Sequence, residues 1–175
     1  MRIRDAHDGD AEAIAAIYND AVLHTTAIWN EKTVEADNRK AWIADRRRQG
    51  YPVLVAVDDA ADVLGYASFG DWRPFDGYRH TVEHSVYVRK DRRGRGVGKA
   101  LMIELTSRAS SLGKHVMVAG IEAANVASIE MHRSLGFVEV GRLPQVGAKF
   151  GRWLDLAFLQ LTLDGRSEPD APQPV

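Results

Sequence analysis

The order of apolar and polar positions along the chain switches repeatedly between the two periods of regular structure. Arg2–Ala6 reads as a short strand, and Asp8 or Asp10 then caps a helix through Ile14, Ile17 and Ala21. Thr33 opens a second helix that carries Ala41 and Trp42. It ends on Arg46-Arg47-Arg48, a solvated helix end where cations suit the dipole. Pro52–Val57 and Val63–Phe69 flank the polar Asp58–Asp62 turn and predict a hairpin. A strand over His80–Val88, a glycine-rich turn, and a helix with Leu101, Leu105, Ala109 and Leu112 come next. A strand over His115–Ile121 and a helix from Asn125 follow, and Phe137–Val140 and Arg152–Leu163 close the pattern. No segment repeats. The pattern predicts an α/β (α+β) domain over residues 1–164, a mixed, mostly antiparallel sheet flanked by helices. Residues 165–175 are polar and Pro-rich, and a disordered tail is expected there.

Composition narrows the function. The 175 residues, 45% hydrophobic and 27% charged, suit one soluble globular domain with a sizeable core. A net charge of −1 offers no general attraction to nucleic acid or to an anionic membrane. The absence of cysteine excludes disulfides, thiolate metal sites and a cysteine acyl-enzyme. No apolar run reaches transmembrane length, and Met1-Arg2-Ile3-Arg4-Asp5 is no signal peptide, so a cytoplasmic location is expected. No metal site is expected.

The strongest chemical signal is Arg93-Gly94-Arg95-Gly96-Val97-Gly98-Lys99, placed between a strand and a helix. Alternate glycines let the backbone approach a ligand closely, and the helix start adds unpaired amides and a positive dipole end. Arg92, Arg93, Arg95 and Lys99 reinforce that potential, so the loop predicts a phosphate-rich ligand. It is not a Walker loop: three residues rather than four separate Gly94 from Gly98, and Ala100 replaces the magnesium-binding hydroxyl. Nor is it a dinucleotide fingerprint. Lys99 stands where the third glycine belongs, and Arg89–Arg92 separates strand from glycines.

Arg93, Gly96 and Gly98 instead resemble the acyl-CoA pyrophosphate loop of the GNAT N-acetyltransferases, Arg/Gln-x-x-Gly-x-Gly. A second segment strengthens the resemblance: Asn125-Val126-Ala127-Ser128, then Met131-His132 and Leu135-Gly136-Phe137, one strand further on. In that family the segment supplies an amide to pantetheine and a helix beside the thiol. By itself Asn125 reads equally as a helix cap. His132 stands where the family often has the tyrosine that protonates the leaving thiolate, so that role is in question here. The resemblance implies a GNAT fold with acetyl-CoA as co-substrate. It also implies cofactor contacts from Val86, Tyr87 and Val88, mainly through backbone, and from Gly94, Arg95, Val97, Lys99 and Ser128.

Thr81-Val82-Glu83-His84-Ser85-Val86-Tyr87-Val88 is similar to the motif of one GNAT branch, the phosphinothricin and methionine sulfoximine N-acetyltransferases. So are Asn19–Ala21, Thr25–Trp29, Gly70–Tyr78 and Gly147–Asp155, and together they cover Ile3 to Leu163. This implies N-acetylation of the α-amino group of a small amino acid with a tetrahedral polar group: methionine sulfoximine, methionine sulfone or phosphinothricin. Strand alternation sets Glu83, Ser85 and Tyr87 on one face, against Val82, His84, Val86 and Val88 on the other. Glu83 is the candidate base, and His132 the second catalytic candidate. Arg73 is placed to grip a carboxylate, with Pro74 and Phe75 shaping the wall. Ser85 belongs to the acceptor side through the motif. His84 shares that motif, but its face is apolar, and a hydrogen-bonded core histidine is the commoner reading. Trp29 and Phe150 either line the substrate chain or pack in the core. Lys149 is expected to reach the polar group, in cis or from a partner subunit of a homodimer. Two alternatives stay open: another amine acceptor, such as a protein N-terminus or an aminoglycoside, and a non-catalytic acyl-CoA sensor.

Overall fold

The alternating pattern resolves, in a computed structural model describing residues 1–169 and 171, into one seven-stranded sheet with helices on both faces. The elements are β1 (Arg2–Asp5), α1 (Ala11–His24), α2 (Ala36–Arg48), β2 (Val53–Val57), β3 (Val63–Asp71) and β4 (Thr81–Val88). After them come α3 (Val97–Ser111), β5 (Val116–Glu122), α4 (Val126–Arg133), β6 (Val138–Lys149) and β7 (Arg152–Thr162). The strand order is β1-β2-β3-β4-β5-β7-β6, and every pairing is antiparallel except β4 with β5.

Period-2 alternation sorts the strand residues between two cores. Leu54, Phe69, Val82, Met117, Ala119 and Leu159 pack on the apolar stripe of α3 (Leu101, Met102, Leu105) and on Ile129 of α4. Val53, Val55, Val57 and Tyr66 pack on the other side against Ile14 and Ile17 of α1 and Ile43 of α2. On that second side the helices cover β2, β3 and the adjoining end of β4. Glu83, Gly120 and Phe158 share the uncovered part.

Several element boundaries differ from expectation. The first helix starts at Ala11, after a 3-10 turn over Asp8–Asp10. Asp10 is no open cap: it is buried, bound by Arg4 at 2.7 and 2.8 Å and by the His7 amide at 2.8 Å. The second helix begins at Ala36 rather than Thr33, because the Asn19 side chain holds both the amide and the carbonyl of Val34, each at 2.9 Å. β6 is far longer than Phe137–Val140. Gly141, Pro144 and Gly147 mask it in the sequence, and register shifts at Glu139/Gly141 and Leu143/Gly147 absorb them. Gly147-Ala148-Lys149 therefore ends a strand, and Phe150-Gly151, both at positive φ, turn the chain into β7. Of the expected tail, Arg166 is bound to Asp164 at 2.9 Å and to the Gly113 carbonyl at 2.9 Å. Asp170 and residues 172–175 lie outside the described residues.

Candidate active site

β4 and β5 pair only over Thr81–Glu83 against Val116–Val118, and from His84 onward they part. The gap leaves one edge of β4 without a ladder partner and opens into a cleft of about 890 Å³. Val86, Tyr87 and Val88 line it from β4, and Asn125, Ser128 and Met131 from α4 and its start. Arg93, Gly94, Gly96, Val97, Gly98 and Lys99 close its end. Gly94 and Gly96 have φ of 71° and 81°, a left-handed conformation that side chains disfavour. Gly96 is the N-cap of α3, so the first-turn amides after it face the cleft with the positive end of the dipole. Arg93 braces the loop, donating to Asp20 at 3.0 Å and to the Val88 carbonyl at 3.2 Å. Gly98 lets α3 approach α4: a Cβ there would stand 3.3 Å from the Met131 sulfur. Asn125 caps α4, accepting the Ser128 amide at 3.2 Å. An anion held by backbone amides at one end and an extended chain along the free edge of β4 both fit this cleft.

Glu83 stands at the last paired position before the split, on the uncovered face. Burial raises its pKa above the ordinary glutamate value, and the Arg73 charge partly opposes this. Arg73 stacks on Trp72 with its guanidinium carbon 4.4 Å from the ring centroid, and Trp72 meets Phe158 edge-on at 5.5 Å. A half-buried carboxylate, a cation beside it and an aromatic wall form a trough suited to a small zwitterion. Pro74 and Phe75 are exposed, Phe75 by 69%, so they do not roof this trough within one chain. Ser85 lies on the same face, one alternate position along β4.

Five expected site residues stand elsewhere. Lys149 is 3% exposed and donates to the Thr25 carbonyl at 2.8 Å and to the Ile28 carbonyl, so it pins the loop after α1 rather than reaching a substrate. His132 is 1% exposed; it contacts the Ser128 carbonyl at 2.7 Å and His84 Nε2 at 3.1 Å, and turns into the core rather than the cleft. His84 stacks on it at 4.9 Å and 17° and packs on Phe137, so it is a core histidine and not an acceptor contact. Burial lowers the pKa of both imidazoles, that of His84 to about 3, helped by the neighbouring His132. Because His132 Nδ1 must donate to the carbonyl, His84 Nε2–H donates to His132 Nε2. Arg95 is exposed and off the cleft wall. Trp29 lies across Gly147, where a Cβ would run into the indole, and donates to the Thr26 carbonyl at 2.9 Å.

The cleft also has walls that residue patterns alone did not assign. Thr25, Thr26 and Ala27 follow α1, and Glu122 ends β5, accepting from Thr26 Oγ1 at 3.2 Å and from the Ala124 amide at 3.1 Å. Glu122 carries a sequence signal, an acid ending a strand before the Asn125 segment, but only the fold shows that it meets Thr26. Among the described residues no group of three or more His, Cys, Asp or Glu gathers to hold a metal, and no helix is long and apolar enough to cross a membrane.

A split parallel pair beside a glycine loop and an Asn-capped helix defines an acyl-CoA-type cleft, and the chain belongs to the acetyltransferase (GNAT) family, whose model matches residues 14–137. Within that family it is 63% identical to the L-methionine sulfoximine/L-methionine sulfone acetyltransferase of Pseudomonas aeruginosa, over 95% of this chain and 98% of that protein. It is 61% identical to the L-amino acid N-acyltransferase of Escherichia coli, over 98% and 99% of the two chains. A solved acetyltransferase from Salmonella typhimurium with acetyl-CoA bound superposes with a TM-score of 0.94 at 58% identity, covering 98% of this chain and 99% of its own.

Proposed function

We propose that the chain transfers the acetyl group of acetyl-CoA to the α-amino group of L-methionine sulfoximine, L-methionine sulfone or phosphinothricin. The observation that carries this reading is Glu83, a half-buried carboxylate with a raised pKa at the point where the β4–β5 split meets the Arg73 trough. Bound in the cleft, acetyl-CoA supplies an activated acyl thioester. Amides of Arg93–Lys99 hold its pyrophosphate, and the free edge of β4 pairs with its pantetheine amides. Glu83 takes the ammonium proton, directly or through water, and leaves the amine neutral and nucleophilic. Arg73 holds the acceptor carboxylate. An amide of the β4 edge polarises the thioester oxygen. The chain has no cysteine for a covalent intermediate, and direct attack within a ternary complex gains its rate from proximity.

The protein works in the cytoplasm as a homodimer. Phe150 and Trp153 are 56% and 68% exposed at the β6–β7 turn, and Val138 and Val140 are 65% and 57% exposed along β6. Surface of that kind is what a second copy covers, and the same copy roofs the trough. Light scattering reads the mass directly, and a monomer would overturn this part.

The function is tested by kcat/KM for the sulfoximine, the sulfone, phosphinothricin, plain methionine and a short peptide amine with acetyl-CoA. Preference for the sulfoximine, the sulfone or phosphinothricin over methionine and the peptide is the expected outcome. Equal use of methionine or the peptide would make the chain an acetyltransferase of another specificity. Acetyl-CoA binding without turnover of any amine would make it a sensor.

A further inference from the structure

The interior strand glycines of this sheet have different reasons to lack a side chain, and at one of them the close neighbour is only the flexible end of a site side chain. A Cβ at Gly65 would stand 2.8 Å from the Tyr87 carbonyl oxygen, one at Gly70 would collide with the Arg46 guanidinium, and one at Gly147 with the Trp29 indole. Gly141 lies at a register shift. Gly120, in the middle of β5 and paired across the sheet with Phe158, is not in the left-handed region and needs no glycine for its backbone. Its missing Cβ would lie 3.7 Å from Leu156 Cδ1 and 3.8 Å from Phe158 Cε1, ordinary packing distances. The one close neighbour is Glu83 Oε1, at 3.1 Å. A Cβ here would need the Glu83 carboxylate end to give by a few tenths of an ångström, neither the backbone nor the Leu156 and Phe158 contacts require glycine, and Gly120 itself is exposed on the trough face. Glycine inside a strand often marks a place where a ligand approaches the backbone closely.

We propose that Gly120 is a specificity-determining position: its bare backbone forms a slot beside Glu83, between Leu156 and Phe158, that receives the carbon skeleton next to the acceptor's amine. The slot takes a primary α-amine whose adjoining carbons lie flat on the β5 backbone, with the nitrogen directed at the Glu83 carboxylate. This rests on the reading of Glu83 as the base. It adds a steric filter that acts on the acceptor and leaves the coenzyme untouched, because Gly120 is not on the cleft wall where the glycine loop and α4 meet.

The test is a pair of variants, Gly120→Ala and Gly120→Val, with Glu83→Gln run alongside. Gly120→Ala is expected to raise KM for L-methionine sulfone on the order of 10-fold, the effect of one misplaced methylene in a pocket, and Gly120→Val to raise it further. Acetyl-CoA affinity by calorimetry stays at the wild-type value, and the melting temperature does not fall. Wild-type KM in Gly120→Val overturns the slot. So does a loss confined to kcat, or one explained entirely by a displaced pH profile, since either means that the added carbon disturbs the Glu83 carboxylate rather than the acceptor. Glu83→Gln separates the two readings. Full activity there removes the base assignment, whereas a large loss there together with unchanged KM in both Gly120 variants removes the slot alone.

Discussion

The acetyl-CoA cleft and the acceptor trough meet at one split in the sheet, yet they are built in opposite ways. The cleft uses backbone: left-handed glycines, first-turn amides and a strand edge, most of them contiguous in sequence. The trough uses side chains from distant positions, Arg73 after β3, Glu83 on β4, and Phe158 on β7, and it lies open to solvent on one side. A coenzyme with a fixed pyrophosphate and a long amide chain is recognised by repeating backbone groups. A small amino acid is recognised by a few charges and a shaped wall, and those have to be collected from across the fold.

The largest expected effect separates the two regions directly. Glu83→Gln keeps shape but removes basicity, and kcat near neutral pH falls roughly 100-fold while acetyl-CoA affinity stands. Burial raises the Glu83 pKa, so the wild-type acid limb begins above the usual glutamate range and activity is lost as pH falls through it. The variant loses that limb, and its deficit shrinks at high pH, where the amine deprotonates unaided. A pH–rate profile from 5 to 10 reads both. Near wild-type kcat at pH 7 would reduce Glu83 to a positioning role.

The next effect concerns the seam between the regions. His84 takes a proton near pH 6.5 when unfolded but only at about 3 when folded, so the unfolded state binds more protons between those values. Stability is full above about pH 6.5 and falls as pH drops toward the folded value. The loss is about 2 kcal/mol between pH 7 and 5 for one such group. Urea titrations at the two pH values measure it, and His84→Phe is expected to shrink the difference. An unchanged difference in that variant would place the proton uptake elsewhere.

A smaller effect confined to the coenzyme comes from Gly96→Val, which forces a β-branched residue to a φ of 81°. Acetyl-CoA affinity drops on the order of 10-fold, about 1.4 kcal/mol. Calorimetry on the folded variant checks it, and undiminished binding would remove the pyrophosphate from this loop. The smallest effect is its counterpart on the other side. Arg73→Ala raises acceptor KM about fivefold, about 1 kcal/mol for an exposed charge pair, and leaves acetyl-CoA untouched. A variant that weakened both ligands equally would merge the two regions into one site.

Much of this protein was legible in its sequence because the information is local. The glycine spacing at Gly94, Gly96 and Gly98 specifies backbone conformations that a nearest-neighbour pattern can encode. The Asn125 cap needs only the amide three residues ahead, and alternation along Thr81–Val88 put Glu83 opposite His84 without any knowledge of the sheet. The strand order and the point at which β4 leaves β5 have no such local signature. Lys149 shows the limit most clearly. As a cation near an aromatic in a motif it reads as a substrate grip, yet its ammonium binds carbonyls more than 120 residues away, and only the closing of β6 onto the loop after α1 decides that. His132 was equally ambiguous, because a helix residue can face a ligand or a core and spacing alone does not say which. The tertiary structure turned it onto His84. Local sequence determined which residues carry charge, hydrogen bonds and conformational freedom. Burial, which depends on every chain segment at once, decided which of them were left facing the split.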